Sequence, residues 1–401
     1  MTATTAASTD LIDAAKALAP LIDSYREESE RERTLPAALV AALAQRGLLR
    51  MYVPRSRGGL EVDPITCFRV LEELARADGA VAWNVMNWAA GGLYAARLAE
   101  PVAREVYGRN PSVVISASLA PKGRAEAVAG GFRLSGRWPL ASGCAHASWL
   151  VAGAVIIAGD RPAFRPDGAP DVRLMVVPRA ECEILDTWCA AGLRGTGSHD
   201  FAVQEAFVPQ ERTFAFPDGP SFEPGPLYRG SIFDGLVRII SPVALGIARA
   251  ALDTFTELAS RKVPTRTASL LRDRATVQAQ LAQAEALVRS ARALVFETTT
   301  ATWETLVAGE PLSEEQSALQ WLAAVHAVTS CAHAVDTVFT LGGATSVYTT
   351  SRLERCFRDI HVVTQHVGVS PWQWERVGRH FLGLGIADVV LGGAPGTLSG
   401  G

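Results

Sequence analysis

The sequence predicts an α+β protein built in three consecutive parts, helical, then β, then helical. Three observations carry that prediction. Apolar residues recur at three- and four-residue spacing from Asp10 to about Leu98, and again from about Ser231 onward. Between Pro111 and Phe214 the pattern changes to short runs rich in β-branched residues: SVVISASLA, AEAVA, FRLSGRW, SWLVAGAVIIA, VRLMVV, CEIL and FAVQEAFV. Gly, Pro and Asp separate them, which reads as an antiparallel β domain. Finally, there is no strand–helix–strand alternation and no glycine fingerprint of a dinucleotide fold.

Residues 1–9 are small and polar, a frayed start. Leu11, Ile12, Ala15, Leu18, Ile22 and Tyr25 then share one helical face. Pro36 is placed as the first residue of a second helix, which Gly47 ends. MYVPRSRGGLEVDP reads as a short strand-like piece and a loop. Asp63-Pro64 has the form of an N-cap and first helical position for a third helix, running to about Ala77. A fourth covers roughly Val81 to Leu98 and is apolar nearly all round, as expected of a helix buried on most faces or packed against a partner chain. After the β runs, the Pro- and Gly-rich segment 215–230 marks a boundary. Ala275 to about Thr300 contains no Gly or Pro. Ser313 and Gln316 form a capping box for the next helix, which runs toward Leu341. Gly342-Gly343 breaks it, and a last pair of helices carries 352–366 and 373–390.

At 401 residues the chain is long enough for two or three domains, and 48% hydrophobic, 20% charged residues and a net charge of −3 describe a globular protein without a nucleic-acid surface. Six scattered cysteines with no CxxC read as buried reduced thiols. MTATTAASTD lacks the form of a signal peptide, and no apolar stretch reaches the roughly 18 residues of a membrane span, so a cytoplasmic protein is expected. With no HExxH, EF-hand loop or paired Glu/His motif, no metal is expected; His326 and His333 read as structural.

Four stretches are candidates for chemistry. GRWPLASGCAHASW (136–149) places Ser142 and Gly143 at a turn flanked by Trp138, His146 and Trp149. It is either a hairpin with aromatic cross-strand packing or a turn whose small residues let a flat ligand approach the backbone. Lacking GxSxG, Ser142 is a poor hydrolase nucleophile. In WCAAGLRGTGSHDF (188–201), Thr196, Ser198 and the N–H groups around Gly195 and Gly197 could bind an anion or ring heteroatoms, or simply form a loop. Arg272, Asp273 and Arg274 are solvated charge or a phosphate contact. RCFRDIHVVTQHVG (355–368) gathers Arg355, Arg358 and Asp359 ahead of His361 and His366, either as structural ion pairs or at a site.

VPRSRGGLEVD (53–63), LEELARADGAVAW (71–83), the Trp…Ser-Gly turn within 136–143, GLRGTGSHDFAVQEAFVP (192–209) and GGATSVYTTSRLERCFRDIH (342–361) together resemble the acyl-CoA dehydrogenase fold, over nearly the whole chain. The resemblance implies an N-terminal helical domain (1–110), a central antiparallel β-barrel-like domain (111–214), a linker (215–230), a C-terminal four-helix bundle (231–391) and a flexible tail (392–401). It also implies a homotetramer assembled through the C-terminal helices.

Two departures point to a subfamily. Where the dehydrogenases commonly carry a glutamate that abstracts the substrate α-proton, this chain has IHVVTQHVGVSPW (360–372), with no carboxylate. SASLAPKGRA (116–125) stands where a TEP-like motif is usual. The Trp–Ser-Gly turn with a late Gln-His instead resembles the two-component flavin-dependent monooxygenases of this fold. That implies reduced FMN or FAD supplied by a separate NAD(P)H:flavin reductase, O2 as co-substrate, and a buried C4a-hydroperoxyflavin. By the same resemblance Ser142 lies near flavin N5. His366 lies near substrate and peroxide, where a neutral imidazole takes a phenol proton or, with an amine or sulfide, stabilises the peroxide. Trp138, Gly143, Arg194, Thr196 and Ser198 are expected against the flavin, with Arg272 or Arg274 on a flavin phosphate, in a neighbouring subunit. Trp83, Asn84, Asn87, Trp88 and Trp372 are substrate-pocket or core residues. Arg355, Arg358 and Asp359 belong to a structural Arg-Asp element, and His361 has no role. The expected substrate is an aromatic or polycyclic small molecule that becomes hydroxylated; N- or S-oxygenation of an amino sugar or heterocycle is the variant. An acyl-CoA dehydrogenase with its base elsewhere is the alternative, and a non-catalytic flavin-binding scaffold the third reading.

Overall fold

In the computed structural model, which describes residues 2–108, 110–217 and 219–386, the helical, β, helical order holds. The first predicted helix is three: α1 Thr2–Ala17, α2 Ala19–Ser24 and α3 Arg26–Glu32, with Pro20 opening α2 and Tyr25 (φ −100, ψ 1) leaving helical geometry before α3. Pro36 caps α4 Ala37–Gln45 instead of beginning it, and Gly47 ends it at φ +77. Residues 48–62 form no strand. They fold back on themselves through two 3-10 turns, with Val62 N donating to Met51 O (2.9 Å) and Leu60 N to Arg50 O (3.0 Å). The Asp63 carboxylate accepts from Thr66 N (2.9 Å) at the start of α5 Pro64–Ala77. The carboxylate of Asp78 caps α6 Gly79–Ala95 through Ala80 N (2.9 Å) and Val81 N (3.2 Å). As its composition predicts, α6 is buried along nearly its whole length. A short amphipathic helix, α7 Glu100–Tyr107, follows it and was not expected.

The β strands are β1 Ile115–Val128, β2 Gly131–Ala141, β3 Trp149–Ala158, β4 Arg161–Pro162, β5 Val172–Pro178, β6 Glu183–Leu185, β7 His199–Pro209 and β8 Thr213–Ala215. They form one sheet in the order β6-β7-β2-β1-β3-β5-β8, with β4 on β3. The sheet is mixed, not antiparallel throughout, because β1 and β3 run parallel. The reason lies in the connection. β2 returns beside β1 through a tight hairpin, and residues 142–148 then cross the start of β1 to its other edge. Ser148 N donates to Val114 O (2.9 Å) and Ser116 Oγ to Ser142 O (2.8 Å), tying that crossing down. Ser142 and Gly143 therefore sit at the end of the sheet that faces the helices.

The C-terminal helices are α8 Ile232–Arg238, α9 Ser241–Arg261, α10 Ala275–Ala308, α11 Glu314–Gly342, α12 Arg352–Val363 and α13 Gln373–Phe381. α9 to α12 pack as a bundle, and α5 lies along α9 to join the two helical parts. The Ser313/Gln316 capping box forms as expected, through Gln316 N to Ser313 Oγ (3.1 Å) and Ser313 N to Gln316 Oε1 (3.0 Å). Two segments, Ile232–Arg261 and Glu314–Val347, reach the length and apolarity of a membrane span, contrary to expectation. In the fold 78% and 61% of those windows are buried, so they serve as core helices. Five cysteines are buried, while Cys189 is exposed. The last predicted helix, 373–390, ends already at Phe381, with Gly383 (φ +73) and Gly385 (φ +71) just beyond it; residues 387–390 and the expected C-terminal tail lie outside the described residues.

Candidate active site

A chain of hydroxyl groups forms where the crossing turn meets the loop before β7. Gly143 N donates to Thr196 O (2.7 Å), joining the turn to the 3-10 turn Arg194–Thr196. Ser142 Oγ lies 2.8 Å from Ser198 Oγ, which lies 2.7 Å from Thr196 Oγ1. The direction of these bonds is forced by the ends. The Trp83 indole, at 3.1 Å from Ser142 Oγ, can only donate, and the Leu193 carbonyl, 2.7 Å from Thr196 Oγ1, can only accept. Protons therefore run from Trp83 to Ser142, Ser198, Thr196 and Leu193 in one sense. Ser142, Thr196 and Ser198 are all buried. Ser142 spends its own proton inside the chain and keeps a lone pair for a donor from outside.

One face of α6 closes over this row. Asn84 Nδ2 donates to Gly195 O (3.3 Å) and Asn87 Nδ2 to Trp83 O (2.8 Å). Trp88 meets His146 edge to face, with ring centres 6.0 Å apart, and His146 in turn lies 3.2 Å from Thr34 Oγ1. Gly143 has φ +69, and a Cβ there would stand 2.4 Å from Trp88 Nε1, so glycine is required both by the backbone and by the close indole. Two buried polar atoms in this cluster, Trp88 Nε1 and Asn84 Oδ1, have no hydrogen-bond partner among the described residues.

His366 comes from the opposite side. Its ring centre is 5.6 Å from that of Trp83, edge to face. It caps the 3-10 turn Val367–Val369, where Nδ1 accepts from Gly368 N (3.1 Å). Burial pushes the imidazole down to about 4, so the ring is neutral at physiological pH. A neutral imidazole whose Nδ1 accepts carries its proton on Nε2. The free nitrogen is thus a donor, which suits the second of the two expected roles, toward the peroxide, better than the first.

The Arg-Asp element forms a buried ionic cluster, and it reaches both halves of the site. Arg355 lies 3.6 Å from Asp78 and 3.5 Å from Glu30. Arg358 pairs with Glu30 (2.8 Å) and Glu354 (2.5 Å). Asp359 Oδ1 accepts from Leu193 N at 2.6 Å, at the start of the Thr196–Ser198 turn. Burial, with the neighbouring Asp78 charge, pushes the Asp359 carboxyl up to about 7. The cluster thereby holds the N-cap of α6 and the hydroxyl-bearing turn against each other. That double grip could not be seen from the motif alone, although Asp78-Gly79 carries a readable N-cap signature. His361, without a role in the sequence, pairs with Asp336 on α11 (2.8 Å).

Five expected site residues do not point into this cluster within one subunit. Trp138 is fully buried in the sheet, stacked on Phe201 at 5.0 Å, with its indole N–H spent on Gly153 O (2.7 Å). The Arg194 guanidinium turns outward to Glu30 O and Ala190 O. Arg272 and Arg274 are exposed beyond the C-terminal end of α9, where Leu271 N meets Lys262 O (2.8 Å). His366 and Gly368 lie against the opposite end of α9, and its 21 residues span about 30 Å. Trp372 is 45% exposed before α13. For Trp138 and Arg194 side-chain direction decides, which a one-dimensional motif does not carry; Arg272 and Arg274 are distant by position and were expected at a neighbouring subunit's flavin.

Family models for the acyl-CoA dehydrogenase N-terminal domain and C-terminal domain match residues 13–105 and 238–371. Indole-3-acetate monooxygenase of Pseudomonas putida is 33% identical, the match covering 94% of this chain and 96% of that one. The flavin-dependent monooxygenase oxygenase subunit HsaA of Rhodococcus jostii is 29% identical over 94% of this chain and 99% of that one. The solved structure of XiaF from Streptomyces sp., in complex with FADH2 and glycerol, superposes with a TM-score of 0.89 at 26% identity, covering 96% of this chain and 98% of that one. The chain belongs to the acyl-CoA dehydrogenase family. Within that fold it is an oxidoreductase of the flavin-dependent monooxygenase type.

Proposed function

We propose that this chain is the oxygenase component of a two-component system, taking reduced flavin from a separate reductase and hydroxylating an aromatic small molecule with O2. The observation that carries this reading is the neutral His366, set beside Trp83 and the Ser142 hydroxyl chain in a segment without a carboxylate. A dehydrogenase needs a base strong enough to remove an α-proton; a ring whose free nitrogen is an N–H does not supply one. It does suit a donor to an oxygen atom, either that of a phenolate or the one being transferred.

The residues present fit a flavin. A reduced isoalloxazine offers N–H donors and carbonyl acceptors along one edge, and the cluster has a partner of each kind. Ser142 Oγ holds a spare lone pair, Asn84 Oδ1 is a partnerless acceptor, and Trp88 Nε1 is a partnerless donor. We assign Ser142, Gly143, Thr196 and Ser198 to the flavin ring, with Ser142 accepting from N5–H. Trp83, Asn84, Asn87 and Trp88 are assigned to the shared wall of flavin and substrate. Bound reduced flavin supplies the two electrons that activate O2. The protein's part is to shield that chemistry from water, which the burial of the hydroxyl row favours.

Indole-3-acetate in the name of one relative, and FADH2 in the neighbouring structure, favour an aromatic substrate and FADH2 over FMN here. We further propose a cytoplasmic homotetramer. The exposed apolar side chains of Trp372, Phe381, Leu382 and Leu384 suit an interface at the C-terminal helices, and Arg272 or Arg274 would serve a neighbouring subunit's flavin.

The test is anaerobic titration with reduced FAD and reduced FMN, followed by 18O2 and a panel of phenols and indoles, read by product mass. Incorporation of one 18O atom supports the reading. Bleaching of tightly bound oxidised flavin by acyl-CoA, without oxygen incorporation, would reinstate the dehydrogenase.

A further inference from the structure

A second polar cluster lies inside the C-terminal bundle. Arg238 ends α8, Ser241 opens α9, and Gln320 faces them from α11. Arg238 Nε and Nη1, Ser241 Oγ, and Gln320 Nε2 and Oε1 are all buried, and none has a hydrogen-bond partner among the described residues. These three residues, with Val295, Thr298, Thr299, Ala323 and Ala324, line a cavity of about 10 Å³. That is room for one water-sized occupant. Ser241 is fully buried and Gln320 is 6% exposed.

The cavity is rich in donors and carries a positive charge. Two guanidinium nitrogens, an amide NH2 and a hydroxyl face it, against one amide carbonyl. The first turn of α9, with the positive end of a 21-residue helix dipole, adds to the same sign. Among the described residues no carboxylate lies within ion-pair distance of Arg238. Asp234, one turn earlier on α8, acts on Arg238 only at a distance and accepts from Trp321 Nε1 at 2.9 Å. Tyr52 and Cys67, which also lie close to Arg238, are held in their neutral forms by burial. Buried guanidinium N–H groups without a partner are costly, and a single water, accepting two hydrogen bonds, would leave most of these donors unmet.

We propose that this cavity is a binding site for a small monovalent anion, chloride under ordinary conditions, held by Arg238, Ser241 and Gln320. The anion supplies a counter-charge in direct contact with the guanidinium at the α8–α9 junction. That junction matters to the active site, because Val237 and Ile240, on either side of it, pack against Gly368 in the His366 turn. Anion binding thus braces the surface on which His366 rests.

Two measurements on the full-length protein test this. Crystals grown in sodium bromide should show an anomalous peak within about 3.5 Å of Arg238 Nη1 and Ser241 Oγ. Density there without anomalous signal would mean water, and would overturn the proposal. In solution, the melting temperature in sodium chloride should exceed that in sodium gluconate, at equal ionic strength, by about 2–3 °C once the site is saturated. Arg238→Gln should abolish that difference, whereas Arg238→Lys should keep part of it. An equal chloride response in wild type and Arg238→Gln would also overturn the proposal. Should Arg238→Gln fail to fold, the bromide experiment on the wild type decides alone.

Discussion

Replacing Gly143 by alanine tests how closely the turn and α6 are fitted together. The backbone there has φ +69, which costs a residue bearing a Cβ about 1–2 kcal/mol. The added carbon would stand 2.4 Å from Trp88 Nε1 and 2.7 Å from Cε2 and Cζ2. An ordinary carbon contact is about 3.5–4.0 Å, so a rigid, fully buried indole must move by about 1 Å, at about 1–3 kcal/mol. The sum is about 2–5 kcal/mol. With an unfolding entropy near 2.1 cal/mol/K per residue, a chain of 401 residues melting as one unit would lose about 2–6 °C. Gly159→Ala is the control, because it has φ +64 and nothing within 4 Å of the added carbon. It pays only the backbone cost. Scanning calorimetry on both variants isolates the indole contact, and anaerobic titration with reduced flavin reads its effect on the site. Gly143→Ala should bind reduced flavin at least tenfold more weakly, while Gly159→Ala binds it normally. Equal melting temperatures and equal flavin affinities would refute the view that this contact shapes the flavin face.

Variants at three other residues have expected outcomes. His366→Ala should bind reduced flavin normally but release hydrogen peroxide in place of hydroxylated product, and normal coupling in that variant would remove His366 from the chemistry. Since burial lowers this imidazole to about 4, coupling should show no His366-dependent step between about pH 5.5 and 8. The same depression means the unfolded chain takes up its proton first, so His366's contribution to stability is whole above about pH 6.5 and is lost as pH falls toward 4; in His366→Asn that part of the acid slope should vanish. For Asp359 the sign is opposite. A carboxyl raised to about 7 in the fold costs progressively more stability as pH rises from about 4 through 7, so Asp359→Asn, which still accepts from Leu193 N, should flatten the melting curve over that same range, about pH 4 to 7. Asp359→Ala leaves that buried N–H unpaired, at about 1–3 kcal/mol, and should also weaken flavin binding through the Thr196–Ser198 turn. Finally, Ser142→Ala breaks the hydroxyl chain at its head; the fold should persist while peroxide release rises, and unchanged coupling would count against an N5 contact.

Much of the architecture was legible because it rests on local chemistry. The Asp63-Pro64 start, the Ser313 capping box and the apolar periodicity of α5, α6 and α9 to α12 each follow from interactions a few residues apart. What failed locally did so for identifiable reasons. Pro20 and Tyr25 cut one periodic stretch into three helices, and the 142–148 crossing made β1 and β3 parallel although every strand reads as a hairpin member.

Residue types at the site were legible too. Ser142, Gly143, Thr196, Ser198, Trp83, Asn84, Asn87, Trp88 and His366 come together from four separate stretches of chain. The sequence could name these candidates, because glycine turns, hydroxyl-rich loops and a histidine where a carboxylate might stand are matters of composition and order. It could not say that Trp138 points into the sheet, that Arg194 faces Glu30, or that the Nδ1 of His366 is already taken by Gly368. Those facts depend on which way a side chain turns and what it meets, and both are set by contacts between residues far apart in the chain. Only the tertiary structure shows that a backbone N–H two residues on occupies Nδ1 of His366 and leaves Nε2 as its free nitrogen.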